Sequence, residues 1–226
     1  MLPPGHKPIK EVHMPQTTFF NLPDDKINLI ISAATDEFSK ANYKTASINQ
    51  ICKKSNIAKG SFYQYFTDKL DLYVYIMTLA IDEKIRFLLD VLVEFHTLTL
   101  LEQFRLLFIK GFEFAKDYPQ YAALGEQFAK ENNEIATLSV IKEGETKSES
   151  LFFQMIENAK SKGEIDSSVD SLALSIMMQS IINSVNEYMI NKFGELNFKN
   201  HEVDVSIFVD SLLSIIFNGI KNKNCN

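Results

Sequence analysis

The chain has 226 residues, 46% of them hydrophobic, with 18 Phe and no Trp, which is enough for one large or two modest domains with an aromatic core. No charge-free apolar run reaches the roughly 18 residues of a membrane span, and the Pro- and charge-bearing start MLPPGHKPIKEVHMPQ lacks a secretion leader's apolar stretch. The formal net charge is −6 at pH 7, yet residues 40–69 set Lys40, Lys44, Lys53, Lys54, Lys59 and Lys69 against Asp68 alone, while the rest of the chain is acidic.

Cys52 and Cys225 are too few and too far apart for a disulfide framework, and suit a reducing cytoplasm. The histidines at 6, 13, 96 and 201 are isolated. No HExxH, CxxC, Walker loop or GxGxxG is present, so no metal and no cofactor is expected. A basic island on an acidic body suits contact with a polyanion at one end of the molecule, although a solvated lysine-rich face gives the same count.

Five of the six prolines (Pro3, Pro4, Pro8, Pro15, Pro23) fall in residues 1–23, which read as an extended arm that can rest on the surface through Phe19 and Phe20 or touch DNA through His6, Lys7 and Lys10. From Asp24 the pattern is helical. Ile27, Ile30, Ile31, Ala34 and Phe38 share one face, with Asp24 and Asp25 in the positive first turn. Ser47 caps a short helix through Lys54 with Ile48, Ile51 and Cys52 inward. Ser55–Ile57 turns the chain, and Ala58–Phe66 makes a third short helix. Asp68 and Asp71 open a long helix to about Phe95. Helices follow at about 98–117, 119–130, 134–161, 169–193 and 202–221, giving about nine in an all-α fold. The domain boundaries predicted are 1–23, 24–70 and 71–226.

Two short helices joined by a tight turn are a helix-turn-helix unit. Asn42 and Asn56 stand where the chain needs a left-handed residue. The third helix opens on AKGS: a lysine for phosphate, a glycine for close approach and a hydroxyl. Phe62 and Phe66 are four apart and point inward, leaving Tyr63, Gln64 and Tyr65 for the other faces. Gln reads an adenine edge, and Tyr bonds phosphate or packs on a thymine methyl. Lys69 reaches the same backbone. Core and rim is the plainer reading of the Phe/Tyr split.

Here the sequence resembles the TetR family of bacterial transcription regulators. The resemblance covers about 50 residues and rests on IISAATDEFSKANYKTASINQICKKSNIAKGSFYQYFTDKLDLY, with Lys59, Gly60, Phe62, Tyr63, Tyr65, Phe66, Lys69 and Leu70 in register with the family pattern. It implies DNA contacts from Thr45, Ser47, Lys59, Gly60, Ser61, Tyr63, Gln64, Tyr65 and Lys69. Asn42 and Asn56 replace the family's usual glycines. Ala58 replaces its usual capping Ser, at a cost of roughly 1 kcal/mol and with loss of a phosphate contact.

The remaining 150 or so residues carry no catalytic constellation, so no enzyme is expected. Residues 172–190 are apolar on most of their circumference, and 203–220 present Val205, Phe208, Val209, Leu212, Leu213 and Ile216. Pairing of these helices with a second copy predicts a dimer interface through Ile181, Val185, Phe208, Leu212 and Ile216; a plain central core is the alternative. Phe104, Phe108 and Phe112 form a stripe which, with Phe128 and Phe152, is expected to line a pocket for a small apolar or aromatic effector; an aromatic stripe also fits ordinary core. His96 is a candidate hydrogen-bonding partner for that effector, and Glu102 and Glu113 read as solvated.

The expected function is that of a cytoplasmic homodimeric repressor that binds a pseudo-palindromic double-stranded operator and releases it on effector binding, with 68–95 as the coupling helix. A ligand-independent activator, or a nucleoid or division factor with the same head, fits too. A helical carrier or enzyme using the apolar cavity is the reading from another class.

Overall fold

The computed structural model of the protein describes residues 14–92, 94–131, 134–194 and 200–219. Regular structure among them is wholly helical: α1 (Thr17–Phe20), α2 (Asp24–Lys40), α3 (Ile48–Lys54), α4 (Lys59–Tyr65), α5 (Lys69–Leu92), a 3-10 turn (Glu94–Thr97), α6 (Leu100–Asp117), α7 (Pro119–Ala129), α8 (Glu134–Ser161), α9 (Ser171–Phe193) and α10 (Glu202–Asn218). The chain forms two compact units. One comprises residues up to 81 together with 123–143, the other residues 82–122 and 144–226.

In the first unit the apolar faces read from the sequence meet. Ile30, Ala34 and Phe38 of α2, Ile51 and Cys52 of α3, Phe62 of α4, and Phe66, Leu72 and Ile76 are all buried. Each large side chain sealed in this way contributes about 1.5–3 kcal/mol. Glu37 of α2 ties the packing to the backbone, because its carboxylate accepts the Ser47 N–H at 2.9 Å and lies 3.4 Å from the Lys54 ammonium. Ser47 caps α3 as expected, accepting the Gln50 N–H.

The turn after α3 is closed by two reversed hydrogen bonds, Ile57 N–H to Cys52 O (3.0 Å) and Asn56 N–H to Lys53 O (3.3 Å). That closure needs a left-handed residue between them, and Asn56 has φ 51°. The Lys26 ammonium donates to the Ser55 and Asn56 carbonyls at 3.1 and 2.9 Å, fastening the turn to α2. Asn42 departs from its expected left-handed form. Its amide oxygen accepts from the Thr45 N–H (3.1 Å) and hydroxyl (2.8 Å), a side-chain turn made with ordinary backbone angles.

The arm was expected to be extended throughout, but Thr17–Phe20 is a helical turn, because Phe19 is fully buried against Phe66 and Tyr75. Residues 1–13, with His6, Lys7, Lys10 and His13, lie outside the described residues. At the start of α5, Asp68 accepts from the Leu70 and Asp71 N–H groups, and Asp71 reaches back to the Thr67 N–H.

The second unit packs α6 and α9 against α10 around Leu100, Phe104, Phe152, Ile156, Met178, Val209 and Leu213. Glu102, read from the sequence as merely solvated, completes a capping box with Thr99 at the head of α6. Glu113 does face outward, paired with Lys110. Asp170 caps α9, and Gly194 ends it with φ 74°.

Asn56→Gly is expected to leave stability unchanged or slightly raised, whereas Asn56→Val forces a β-branched side chain into left-handed backbone at a cost of about 1–2 kcal/mol. Urea unfolding midpoints at constant slope measure both.

Candidate nucleic-acid interface

Helix α4 is seven residues long and splits as its sequence suggests. Phe62 and the following Phe66 are fully buried, whereas Tyr63 (50% exposed), Gln64, Lys59 and Gly60 face solvent. Tyr65 and Ser61 are half-buried, and the Tyr65 ring lies 6.3 Å from Phe19. No side chain caps the start of α4 at Ala58. Thr45 is exposed, but its hydroxyl is engaged by Asn42, and Ser47 spends its hydroxyl on the cap.

The basic island is weaker than its count. Asp36 of α2 pairs with Lys40 and, at 2.8 Å, with Lys54, since packing α3 on α2 brings acid and base together. Those two ammoniums, the larger causes, hold the Asp36 carboxyl below the usual range. Lys69 is half-buried: its ammonium donates to the Lys44 and Ala46 carbonyls at 3.2 and 3.0 Å and sits 4.8 Å from the Tyr43 ring centre. Desolvation lowers its pKa, partly opposed by the nearby Glu131 charge. Among the described residues, Lys44, Lys53 and Lys59 are the exposed lysines of the island without an ion pair. Sequence reasoning counted Lys44 and Lys53 but gave them no role, because only the fold reveals which lysines are already paired.

Glu131, at the end of α7, accepts the Tyr43 N–H at 2.6 Å, which pins the loop between α2 and α3. No sequence signal marks this contact between residues so far apart. Cys52 is buried and its thiol is pushed up by desolvation, so it is inert packing.

In the second unit the expected pocket residues are dispersed. Phe104 and Phe152 are buried core rings 5.6 Å apart. Phe108 and Phe112 line a cleft of about 80 Å³ with Val209, Arg105 and Asp210, the last two joined by a 2.8 Å ion pair. Phe128 belongs to the other unit. The Gln179 amide oxygen is buried without a hydrogen-bond partner among the described residues. The His96 side chain lies outside the described residues.

Of the expected interface residues, Ile181 and Val185 are buried within the protomer, and Phe208, Leu212 and Ile216 are half-buried against the same core. Among the described residues, the large apolar side chains that α9 and α10 leave exposed are Leu172, Ile176 and Met177, and Val203 (73% exposed), Ile207 (62%) and Ile215. Between these helices Tyr188 stacks on Phe208 at 4.1 Å and lines an open groove of about 500 Å³ with Lys192 and Glu187. Among the described residues no helix is long and apolar enough to cross a membrane, and no cluster of His, Cys, Asp and Glu could hold a metal ion.

A left-handed turn between two short helices, the second exposing tyrosine, glutamine and lysine, defines a helix-turn-helix protein. Residues 30–76 match the family described as bacterial regulatory proteins, tetR family. A stretch of 59 residues of the chain is 34% identical to an uncharacterized HTH-type transcriptional regulator, YhgD, of Bacillus subtilis (26% of this chain, 31% of that one). A stretch of 51 residues is 43% identical to the HTH-type transcriptional regulator HbdR of Aromatoleum sp. (23% of this chain, 22% of that one). The chain thus spans about a third or less of the curated relatives it matches. Over 93% of its length and 100% of the other, it resembles a TetR family regulator structure from Chloroflexus aurantiacus at 25% identity and TM-score 0.60. FadR of Bacillus subtilis, solved in complex with stearoyl-CoA, shares the fold at 17% identity and TM-score 0.65 over 86% of this chain and 99% of that one.

Because Lys69 braces the loop through two carbonyls, Lys69→Ala is expected to cost about 1–2 kcal/mol of stability, against less than ~0.5 for the exposed Lys59→Ala. Urea denaturation of the two variants separates them.

Proposed function

We propose that the protein is a homodimeric, sequence-specific DNA-binding repressor acting on a pseudo-palindromic operator. The observation that carries the reading is α4: a helix with Phe62 buried and Tyr63, Gln64 and Lys59 presented to solvent, in a unit where Lys44 is exposed too. Lys59 and Lys44 supply backbone charge, and Lys69 has one of its three donors beyond the two carbonyls it holds. Tyr63 and Gln64 are the base-reading pair, while Thr45, Ser47, Gly60, Ser61 and Tyr65 frame the contact. Two such helices must reach major grooves about 34–36 Å apart, which requires two copies.

The exposed faces of α9 and α10 suit that pairing, with Val203, Ile207, Ile176 and Ile215 in place of the buried Ile181 and Val185 as the interface. A small apolar effector acts in the second unit. The stearoyl-CoA held by a protein of the same fold favours a ligand with a long apolar part. Such a ligand releases DNA only by binding the two states with different affinity.

Selection from a random duplex library is expected to return a palindromic consensus, and recovery of no consensus overturns the reading. Lys59→Ala should weaken binding to all sequences and reduce the salt slope by about one unit, whereas Gln64→Ala should change the recovered consensus. Ile207→Glu should yield a folded monomer by sedimentation that has lost palindrome binding.

A further inference from the structure

Helix α4 is poorly equipped to stand alone. It has seven residues, well short of the roughly 12–15 at which isolated helices become even marginal in water. It also lacks a side-chain cap at Ala58. Its last carbonyls point past the helix end, where an intrahelical partner is missing. The segment before α2 supplies that partner from far away in sequence. The Gln16 N–H donates to the Tyr65 carbonyl at 2.8 Å, and the Thr18 hydroxyl donates to the Gln64 carbonyl. The Gln16 side-chain amide donates to the Thr67 hydroxyl at 3.0 Å, just beyond the helix. Phe19 then seals the junction: fully buried, its ring lies 5.0 Å from Phe66, 5.7 Å from Tyr75 and 6.3 Å from Tyr65.

We propose that Gln16–Phe19 is a clip that fixes the C-terminal turn of α4 and thereby sets how Tyr63 and Gln64 are presented to DNA. The proposal rests on the DNA-binding reading above. Gln16, Thr18 and Phe19 are positioning residues; none of them needs to touch a base. Two carbonyls held on one side, and a ring wedged beneath, remove the freedom of the last turn to fray or tilt. A frayed turn scatters the Gln64 side chain over many orientations, and a bidentate hydrogen bond to a base edge is intolerant of that scatter. Backbone charge is not. The clip therefore acts on discrimination between sequences more than on general affinity for duplex.

The substitutions can be surgical. Thr18→Val removes the donor at constant shape, and Thr18→Ser restores it. Gln16 has φ −64°, the angle proline prefers, so Gln16→Pro deletes the N–H without bending the chain. Gln16→Ala is the control that loses only the side-chain bond. Amide exchange in the free, full-length protein reads the clip directly, and binding to the selected duplex against a random duplex reads its purpose.

Thr18→Val and Gln16→Pro should each speed exchange at Tyr65 and Phe66 by about fivefold, the equivalent of one ordinary hydrogen bond. Each should narrow the preference for selected over random duplex by a similar factor, with the urea midpoint lowered by no more than that one hydrogen bond accounts for and Thr18→Ser behaving as wild type. Unchanged exchange in both variants overturns the clip. Faster exchange with an unchanged preference overturns its positioning role, as does an equal loss on both duplexes that tracks the urea midpoint. A wild-type protein that selects no duplex at all sinks the regulator reading, and the purpose of the clip with it, whereas the exchange rates answer independently whether the clip exists.

Discussion

A seven-residue helix exists in water only because something larger buries one side of it. In this protein that side is Phe62, with Phe66 directly after it, both fully removed from solvent. The other features of the head follow from where those rings go. Their burial turns Tyr63 and Gln64 outward, and the left-handed Asn56 before them lets the chain reverse tightly enough for α4 to pack on α3. The Lys26 ammonium, on the carbonyls of that turn, joins the reversal to α2. The exposed face of α4 is thus a by-product of core packing, and its geometry is only as firm as the packing beneath it.

Charge is used here in two distinct ways. Lys40 and Lys54 are spent on Asp36 and Glu37, and Lys69 braces carbonyls of the α2–α3 loop. The exposed ion pairs on Asp36 and Glu37 contribute little individually, but they fix register between short helices. Lys44, Lys53 and Lys59 remain turned to water, where a phosphate can use them. An acidic body around a few lysines without ion pairs among the described residues concentrates positive potential on that surface.

The second unit shows the same economy of apolar surface. Most large side chains of α9 and α10 are absorbed by the core, and the remainder forms exposed patches of isoleucine, valine, leucine and methionine. The stacked Tyr188 and Phe208 rings and the Lys192–Asp204 pair already lock α9 to α10, so these two helices present a pre-formed surface.

The helix positions were legible in the sequence because each rests on local physics. Periodicity placed α2 and α8, Pro119 opened α7, and Ser47 and Asp68 marked two helix starts. The family motif was legible for the same reason, since Lys59 to Leu70 is a contiguous string. What escaped was every property set by residues distant in sequence. Thr17–Phe20 coils because Phe66 and Tyr75 lie over Phe19; Glu37 neutralises Lys54; Glu131 holds Tyr43. Ile181 and Val185 face inward although their helix is apolar nearly all round, so the pattern alone could not choose a side. A sequence records what each segment prefers by itself, whereas pairing and burial are chosen when segments compete for the same core.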